Sequence, residues 1–160
     1  MIARSPALIA GARATLLLQA ANPIIKEGAK NHSSFRDSRA HALLRLAATA
    51  AYFKTTHQGS VEDIEGWHQK LDVFHPTVRG KVTDKDLPKN MTYSATDPKA
   101  AWWVQASLLY ATMNTYEHFV GYLTRETKNA YLKEMVPVAR RLHIPDELII
   151  TDYPALQYYF

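Results

Sequence analysis

The most apolar segment of the chain is residues 97–121, DPKAAWWVQASLLYATMNTYEHFVG. Its first two residues are typical of a helix start, because Asp accepts hydrogen bonds from free backbone N–H groups and Pro needs no N–H at the first helical position. Gly121 is typical of a helix end. Tryptophan, leucine, valine and methionine side chains dominate the middle of the segment, which predicts a long buried helix at the centre of the fold.

The rest of the chain also has helical periodicity, and no pair of alternating strands is evident. Helix start and stop signals stand at Ser5-Pro6, Asn22-Pro23, Gly59-Ser60, Thr124 and Pro137. They predict a helix over about 37–56, a following helix that ends near His75-Pro76, and a polar surface loop over 80–96. Helical spacing predicts that the first of these helices turns Leu43, Leu46, Ala47, Ala50 and Phe53 toward the core, and the second Ile64, Trp67, Leu71 and Phe74. The sequence therefore predicts an all-α fold, a single domain over residues 1–160 with about six to seven helices in an orthogonally packed bundle.

The composition excludes several classes of site. The chain has no cysteine, so disulfide bonds, thiolate ligands for zinc or iron–sulfur clusters and a cysteine nucleophile are all excluded. A bound metal would have to be held by carboxylates or by the 7 histidines. Hydrophobic residues make up 47% of the chain and charged residues 21%, so a disordered chain is excluded as well.

Charge and hydropathy bear on partners and location. The formal net charge is +4, and the basic residues are scattered, which favours a solvated surface over a nucleic-acid interface. The longest apolar run, 7–21, contains Arg13 and is shorter than the roughly 20 residues that span a bilayer. Residues 1–26 lack acids, as in a mitochondrial transit peptide, but they also fit the first helix. We expect a cytoplasmic or membrane-associated protein without a signal peptide, docking through an apolar helix face in the second case.

The motif His75-Pro-Thr-Val-Arg79-Gly80 is the most informative one for chemistry. A histidine at the end of an apolar helix can present a neutral imidazole nitrogen to iron. The planar guanidinium of Arg79 suits a carboxylate such as a haem propionate, and Gly80 lets the backbone turn. A second interpretation stays open, in which His75 is a hydrogen-bonded core histidine near Trp67 and Phe74.

Arg45 and Thr49 lie four residues apart, on one face of the alanine-rich helix over 37–56. A cation and a hydroxyl on the core side of a helix are unusual, because an unpaired buried charge is costly. The surrounding alanines would let a flat ligand approach the helix. In the alternative, Arg45 pairs with a surface acid and Thr49 bonds back to the carbonyl of Arg45.

A non-haem metal site is a further hypothesis. His68 and His75 lie seven residues apart on roughly one helix face, which Glu65 and Asp72 flank. The carboxylates do not stand at the spacing of a two-histidine, one-carboxylate triad. The motifs of zinc proteases, serine hydrolases and nucleotide-binding loops are also missing from the sequence.

Together these segments resemble the family that holds the ER-bound mpaB oxygenase and rubber oxygenase (latex-clearing protein) catalytic domains. The matching segments follow the family's order over nearly the whole chain. They are Ser5-Pro-Ala-Leu8, Gly11-Ala-Arg13, Leu16–Gln19, Pro23, His32–Phe35, Arg45-x-x-x-Thr49, His75-x-x-Val78-Arg79-Gly80, Tyr93-Ser94-Ala95-x-Asp97-Pro98, Trp103-Val104-x-Ala106 and Leu142-x-Ile144-Pro145.

The resemblance implies a helical fold around a pocket for haem b. It makes His75 the iron ligand with Arg79 beside it, and it gives Arg45 and Thr49 catalytic roles along the haem pocket. The implied reaction is oxidation by O₂ of an apolar, isoprenoid-like substrate, with cleavage of a carbon–carbon double bond. In the rubber oxygenase a lysine next to the threonine can reach the distal iron position. Ala48 stands there in this chain, so that lysine-capped state is not expected.

The chain departs from the family pattern at several positions. Asn22 and Gln105 stand where many relatives have histidine, Pro76 directly follows the candidate ligand, and the C-terminal part is shorter than in typical relatives. A second function therefore stays open, that of a degenerate, non-catalytic helical member which binds an apolar ligand or a protein partner.

Overall fold

The computed structural model describes residues 2, 11–33, 38–85, 87–88 and 90–160. Within these residues the chain forms eight α-helices, together with two short strands. The helices are α1 (Ala12–Ala21), α2 (Pro23–His32), α3 (Arg39–Gln58), α4 (Val61–Phe74), α5 (Pro98–Phe119), α6 (Arg125–Glu134), α7 (Val136–Arg141) and α8 (Tyr153–Tyr159), and the strands are β1 (Arg79–Lys81) and β2 (Thr92–Ser94). The predicted all-α fold class is confirmed.

The chain divides into two compact units. Unit 1 comprises Met1–Asn22 and Pro98–Phe160, and unit 2 comprises Pro23–Asp97. Unit 1 therefore holds α1 and α5 to α8, whereas unit 2 holds α2 to α4 and both strands.

Helix α5 is the centre of unit 1, as its apolar sequence predicts. Ala106, Leu109 and Met113 recur at helical spacing along one face of α5 and are fully buried. They belong to one core cluster with Leu132 from α6 and Leu156 from α8. Helix α1 packs against the same helix. Its C-terminal part is fixed there by a hydrogen bond of 3.0 Å from the indole Nε1 of Trp103 to the carbonyl oxygen of Leu18.

Local signals in the sequence set most helix boundaries. Ser60 and Asp63 form a capping box at the start of α4, in which each side chain accepts a hydrogen bond from the other residue's backbone N–H at 3.1 Å. The hydroxyl of Thr124 caps α6 by accepting the N–H of Thr127 at 3.2 Å. The break at Asn22-Pro23 separates α1 from α2, as predicted. The predicted first helix start at Ser5-Pro6 lies outside the described residues.

The polar segment after α4 differs from the prediction of a continuous loop. Arg79 pairs with Ser94, Gly80 with Tyr93 and Lys81 with Thr92, which makes an antiparallel ribbon. Each strand is only three residues long and carries no apolar alternation, so periodicity does not reveal it. The ribbon is held instead by long-range contact, because Tyr93 is buried in unit 2 and β2 packs against α2.

The apolar face predicted for the third helix is wrong in part. Leu43 and Leu46 were expected to face the core, but Leu43 is 66% exposed and Leu46 is 41% exposed. Phe74 at the end of α4 is exposed as well. The contact with α4 runs instead through the face that carries Tyr52 and the buried Thr56. Alanines all round α3 give no single apolar stripe, so the sequence pattern does not specify the contact face.

Candidate functional site

Helices α3 and α4 form a helical hairpin in unit 2, joined by Gly59-Ser60. The ring of Tyr52 on α3 lies 6.0 Å, between centroids, from the rings of both Trp67 and His68 on α4. This contact is about two turns away from the connection, so the two helices run side by side in opposite directions.

The hairpin brings two of the predicted site segments to one end. Arg45 lies seven residues before Tyr52, and His75 lies seven residues after His68, and each step corresponds to about 10.5 Å along a helix. The backbone positions of Arg45 and His75 therefore lie at the same end of the hairpin. Thr49, which is half-buried, lies between that end and Tyr52. The side chain of Arg45 is outside the described part of the chain.

His75 is the C-cap residue of α4 and the first residue of a 3₁₀ turn, His75–Thr77. Its N–H donates to the carbonyl oxygen of Leu71, and its own carbonyl accepts the N–H of Val78 at 3.0 Å. The imidazole is half-buried, with its centroid 6.4 Å from that of the Phe74 ring. The backbone then enters β1 directly, so that His75 and the exposed Arg79 are joined by one short turn.

The β1–β2 ribbon has one cationic face. Side chains two residues apart on a strand share a face, and directly opposite residues of an antiparallel pair share it too. Arg79 and Lys81 therefore lie on the same face as Ser94 and Thr92. These residues line an open groove of about 400 Å³ together with Gly80 and Tyr93. Two cations and two hydroxyls on one face can bind an anionic group such as a carboxylate.

Tyr93 and Gly80 form the central pair of the ribbon. The phenol oxygen of Tyr93 accepts a hydrogen bond from Nδ2 of Asn31 at 3.1 Å and lies 3.0 Å from Nε2 of His32, so the ribbon is fastened to α2. Gly80 was expected to let the backbone turn, but it lies within β1, and no glycine of the described residues has a positive φ. Glycine is needed there because the Tyr93 ring covers it.

The buried contact between Tyr52 and His68 is a feature that the sequence does not reveal. His68 is only 3% exposed, and its Nδ1 lies 2.8 Å from the carbonyl oxygen of Ile64. Its Nε2 and the hydroxyl of Tyr52 are both buried and have no hydrogen-bond partner in the described part of the chain. Burial raises the pKa of Tyr52 well above its usual value, so the phenol stays protonated. The spacing from His68 to His75 was visible in the sequence, but the burial was not.

The hypothesis of a non-haem metal site is not supported. Among the described residues, no group of three or more histidine, aspartate or glutamate side chains could hold a metal ion. His68, His75, Glu65 and Asp72 therefore do not form such a cluster. Gln105, which stands where many relatives have histidine, lies on α5 and is buried.

Comparison with known proteins gives one match. The model of a family described as "ER-bound oxygenase mpaB/B'/Rubber oxygenase, catalytic domain" matches residues 1–160. Searches of curated proteins and of solved structures give no significant match. The family match extends over the whole sequence, in agreement with the ordered motifs from Ser5 to Pro145. The chain therefore belongs to the mpaB and rubber oxygenase family of oxygenase catalytic domains.

Proposed function

We propose that this chain is a haem b-dependent oxygenase that uses O₂ to oxidise an apolar, isoprenoid-like substrate. The observation that carries the proposal is the family match over residues 1–160, because it identifies an oxygenase catalytic domain. The absence of cysteine leaves histidine as the natural iron ligand. Haem, when bound, supplies the O₂ chemistry, while the protein supplies binding, orientation and the shape of the pocket.

The residues of unit 2 fit haem in two respects. A haem needs an imidazole, and α4 and its C-terminal end carry two, His68 and His75; Nε2 of His68 is buried and has no hydrogen-bond partner among the described residues. It also needs cations for its two propionates, and Arg79 and Lys81 share one face of the ribbon. By the family resemblance, His75 would bind the haem iron and Arg79 would lie beside it.

Arg45 and Thr49 are the proposed catalytic residues. They stand on α3, whose N-terminal half lies at the same end of the hairpin as His75. The hydroxyl of Thr49 can donate a hydrogen bond, and a guanidinium stabilises negative charge near it. The small Ala47 and Ala48 beside them leave room for a flat ligand.

The proposed substrate is apolar and therefore expected where lipids are. We also propose that the protein works in the cytoplasm or at a membrane surface. Leu16 and Leu17 on α1 are 52% and 73% exposed and can rest on such a surface. Among the helices of the described residues, none combines the length and the apolarity needed to cross a bilayer.

Haem titration tests the proposal. The full chain is titrated with haemin, and the Soret band and the dissociation constant are recorded for the wild type, His75→Ala and Arg79→Gln. His118→Ala, an exposed histidine of unit 1, is the matched control. We expect saturable one-to-one binding, and uptake of O₂ when squalene is supplied as an isoprenoid probe. A folded, helical wild type that takes up no haem would favour the degenerate, non-catalytic member instead.

A further inference from the structure

We propose that one flank of the α3–α4 hairpin, which carries Leu44 and Phe74, docks the hydrocarbon chain of the substrate. The proposal rests on the proposed function and names the surface that takes its apolar, isoprenoid-like substrate. Leu44 on α3 is 67% exposed and Phe74 at the end of α4 is 48% exposed, although both side chains are large and apolar. Single exposed apolar residues are normal, so the question is whether these two form one surface.

Helical spacing places the two residues on the same flank of the hairpin. The contact between the helices runs through Tyr52 on α3 and between Trp67 and His68 on α4. Leu44 precedes Tyr52 by eight residues, which rotates it by about 80° from this contact, and Phe74 is rotated by about 70° in the same sense. Equal senses of rotation in two antiparallel right-handed helices fall on one flank, and Trp67 lies on that flank too.

This apolar flank ends beside the proposed haem site. Leu44 and Phe74 are each about 10–12 Å along the helix axes from the Tyr52 contact, so both lie at the end of the hairpin that holds His75. The ring centroid of Phe74 is 6.4 Å from that of the His75 imidazole. Leu44 directly precedes Arg45 in the chain. The flank is therefore continuous with the residues that the proposed function uses.

The two flanks of the hairpin reverse the usual order of burial. On the other side of the contact, Thr56 of α3 and His68 of α4 are polar, yet they are only 7% and 3% exposed. The apolar flank is the one that is open to solvent. Leaving large apolar side chains in water while polar ones are buried is unfavourable, so the arrangement favours a function in which an apolar ligand covers the flank.

The surface between these residues suits an uncharged chain. On α3, the small side chains of Ala48 and Ala51 lie on this side between Leu44 and Tyr52, and they leave a shallow strip beside the Trp67 ring.

Charged side chains lie around this strip rather than along it. Between Trp67 and Phe74, α4 carries two charged residues. Asp72 lies on the other flank, and Lys70 lies at the outer edge, with its Nζ 5.4 Å from the centroid of the Trp67 ring. A hydrocarbon chain fits this strip better than an anionic or strongly hydrogen-bonding ligand does.

The test compares the flank with equally exposed residues of the same helices that point away from it. Leu44→Gln and Phe74→Gln change the flank. Leu43→Gln and Val73→Gln are the matched controls, because these residues are 66% and 78% exposed. Both lie about 170–180° from the contact between the helices, on the far sides of α3 and α4.

Isothermal titration calorimetry measures the binding of farnesol, a short isoprenoid alcohol, to the full chain with and without haemin. We expect Leu44→Gln and Phe74→Gln each to weaken farnesol binding by about five- to tenfold, because each removes one large apolar contact. Both should also raise the KM for squalene in O₂ uptake, whereas the dissociation constant of haemin should stay at the wild-type value. Leu43→Gln and Val73→Gln should match the wild type in all three measurements.

Equal farnesol affinity of all four variants overturns the inference, as does a wild type that binds no farnesol. Weaker haemin binding in Leu44→Gln and Phe74→Gln, with farnesol binding unchanged, would show that haem itself covers the flank. Dissociation of a wild-type dimer by these two substitutions would assign the flank to a second copy, and loss of binding to phosphatidylcholine vesicles would assign it to a membrane. A wild type that binds farnesol through Leu44 and Phe74 but takes up no haemin supports the docking surface and overturns the proposed function.

Discussion

The ring of Tyr93 lies so close over Gly80 that a Cβ atom added at residue 80 would stand 2.6 Å from the Tyr93 hydroxyl oxygen. Gly80→Ala should therefore push the ring away and break its contacts with Asn31 and His32 on α2. We expect a loss of about 1–3 kcal/mol in the free energy of unfolding, measured by urea denaturation. Gly66→Ala is the matched control, because a Cβ there meets open space in the middle of α4, and it should stabilise by about 0.5–1 kcal/mol. Equal stability of Gly80→Ala and the wild type would contradict this explanation.

Low pH should lower the stability of unit 2, because Glu27 becomes protonated. The side chain of Glu27 is 2% exposed, and its Oε2 accepts the backbone N–H of Thr83 at 3.0 Å and the Thr83 hydroxyl at 2.9 Å. Lys30 donates to Oε1 at 3.1 Å. These hydrogen bonds, the backbone one above all, lower the pKa of Glu27 from 4.5 to about 2. The folded pKa is below the unfolded one, so the stabilisation is full above pH 4.5 and is lost as the pH falls towards 2.

Unfolding curves between pH 6 and pH 2.5 measure this effect. The quantity to compare is the difference in the free energy of unfolding between the wild type and Glu27→Gln. The difference isolates Glu27 from other acids whose pKa is lowered, such as Asp146 and Asp152. We expect the wild type to lose stability more steeply than Glu27→Gln below about pH 4.5. Parallel curves for the two proteins would show that Glu27 is not the responsible group.

Unit 1 also contains a shielded ion pair, between Lys128 of α6 and Glu117 of α5. Their Nζ and Oε2 atoms are 2.7 Å apart, and the same ammonium lies 4.1 Å from the centroid of the Tyr153 ring. The lysine side chain is 10% exposed. Lys128→Met removes the ion-pair partner of Glu117, so we expect a loss of about 1–3 kcal/mol in the free energy of unfolding, less than for a fully buried pair. Lys133→Met, at an exposed position of the same helix, should change stability by less than about 0.5 kcal/mol.

A double-mutant cycle with Glu117→Gln separates the ion pair from the packing of the lysine stem. If the ion pair is responsible, Glu117→Gln should change the free energy of unfolding little in a protein that already carries Lys128→Met. Additive effects of the two substitutions would assign the loss to packing alone.

The sequence predicts those parts of the fold that depend on neighbouring residues. The capping box of Ser60 and Asp63, the cap at Thr124 and the break at Asn22-Pro23 are set within a few residues, so their patterns are sufficient. The central position of α5 follows from its composition alone.

The β1–β2 ribbon and the buried face of α3 could not be predicted in the same way. The ribbon depends on the contact of Tyr93 with Asn31 and His32, which are more than sixty residues away along the chain. The buried face of α3 depends on where α4 lies, since leucine and alanine occur on every side of it. For the same reason the spacing of His68 and His75 could be read from the sequence, but the burial of His68 could not.

The cationic face of the ribbon gives the last prediction, which concerns how haem would be held rather than which atom binds its iron. Arg79 and Lys81 stand opposite Ser94 and Thr92 along one groove, and guanidinium and ammonium groups attract carboxylates. Arg79→Gln and Lys81→Gln should each weaken binding of haemin by about two- to fivefold, as expected for exposed ion pairs. Neither should affect haemin dimethyl ester, whose propionates carry no charge. Lys85→Gln, at an exposed position in the connection between β1 and β2, is the control. If the wild type binds haemin and its ester equally well at low salt, where exposed pairs are least screened, this face does not hold the propionates.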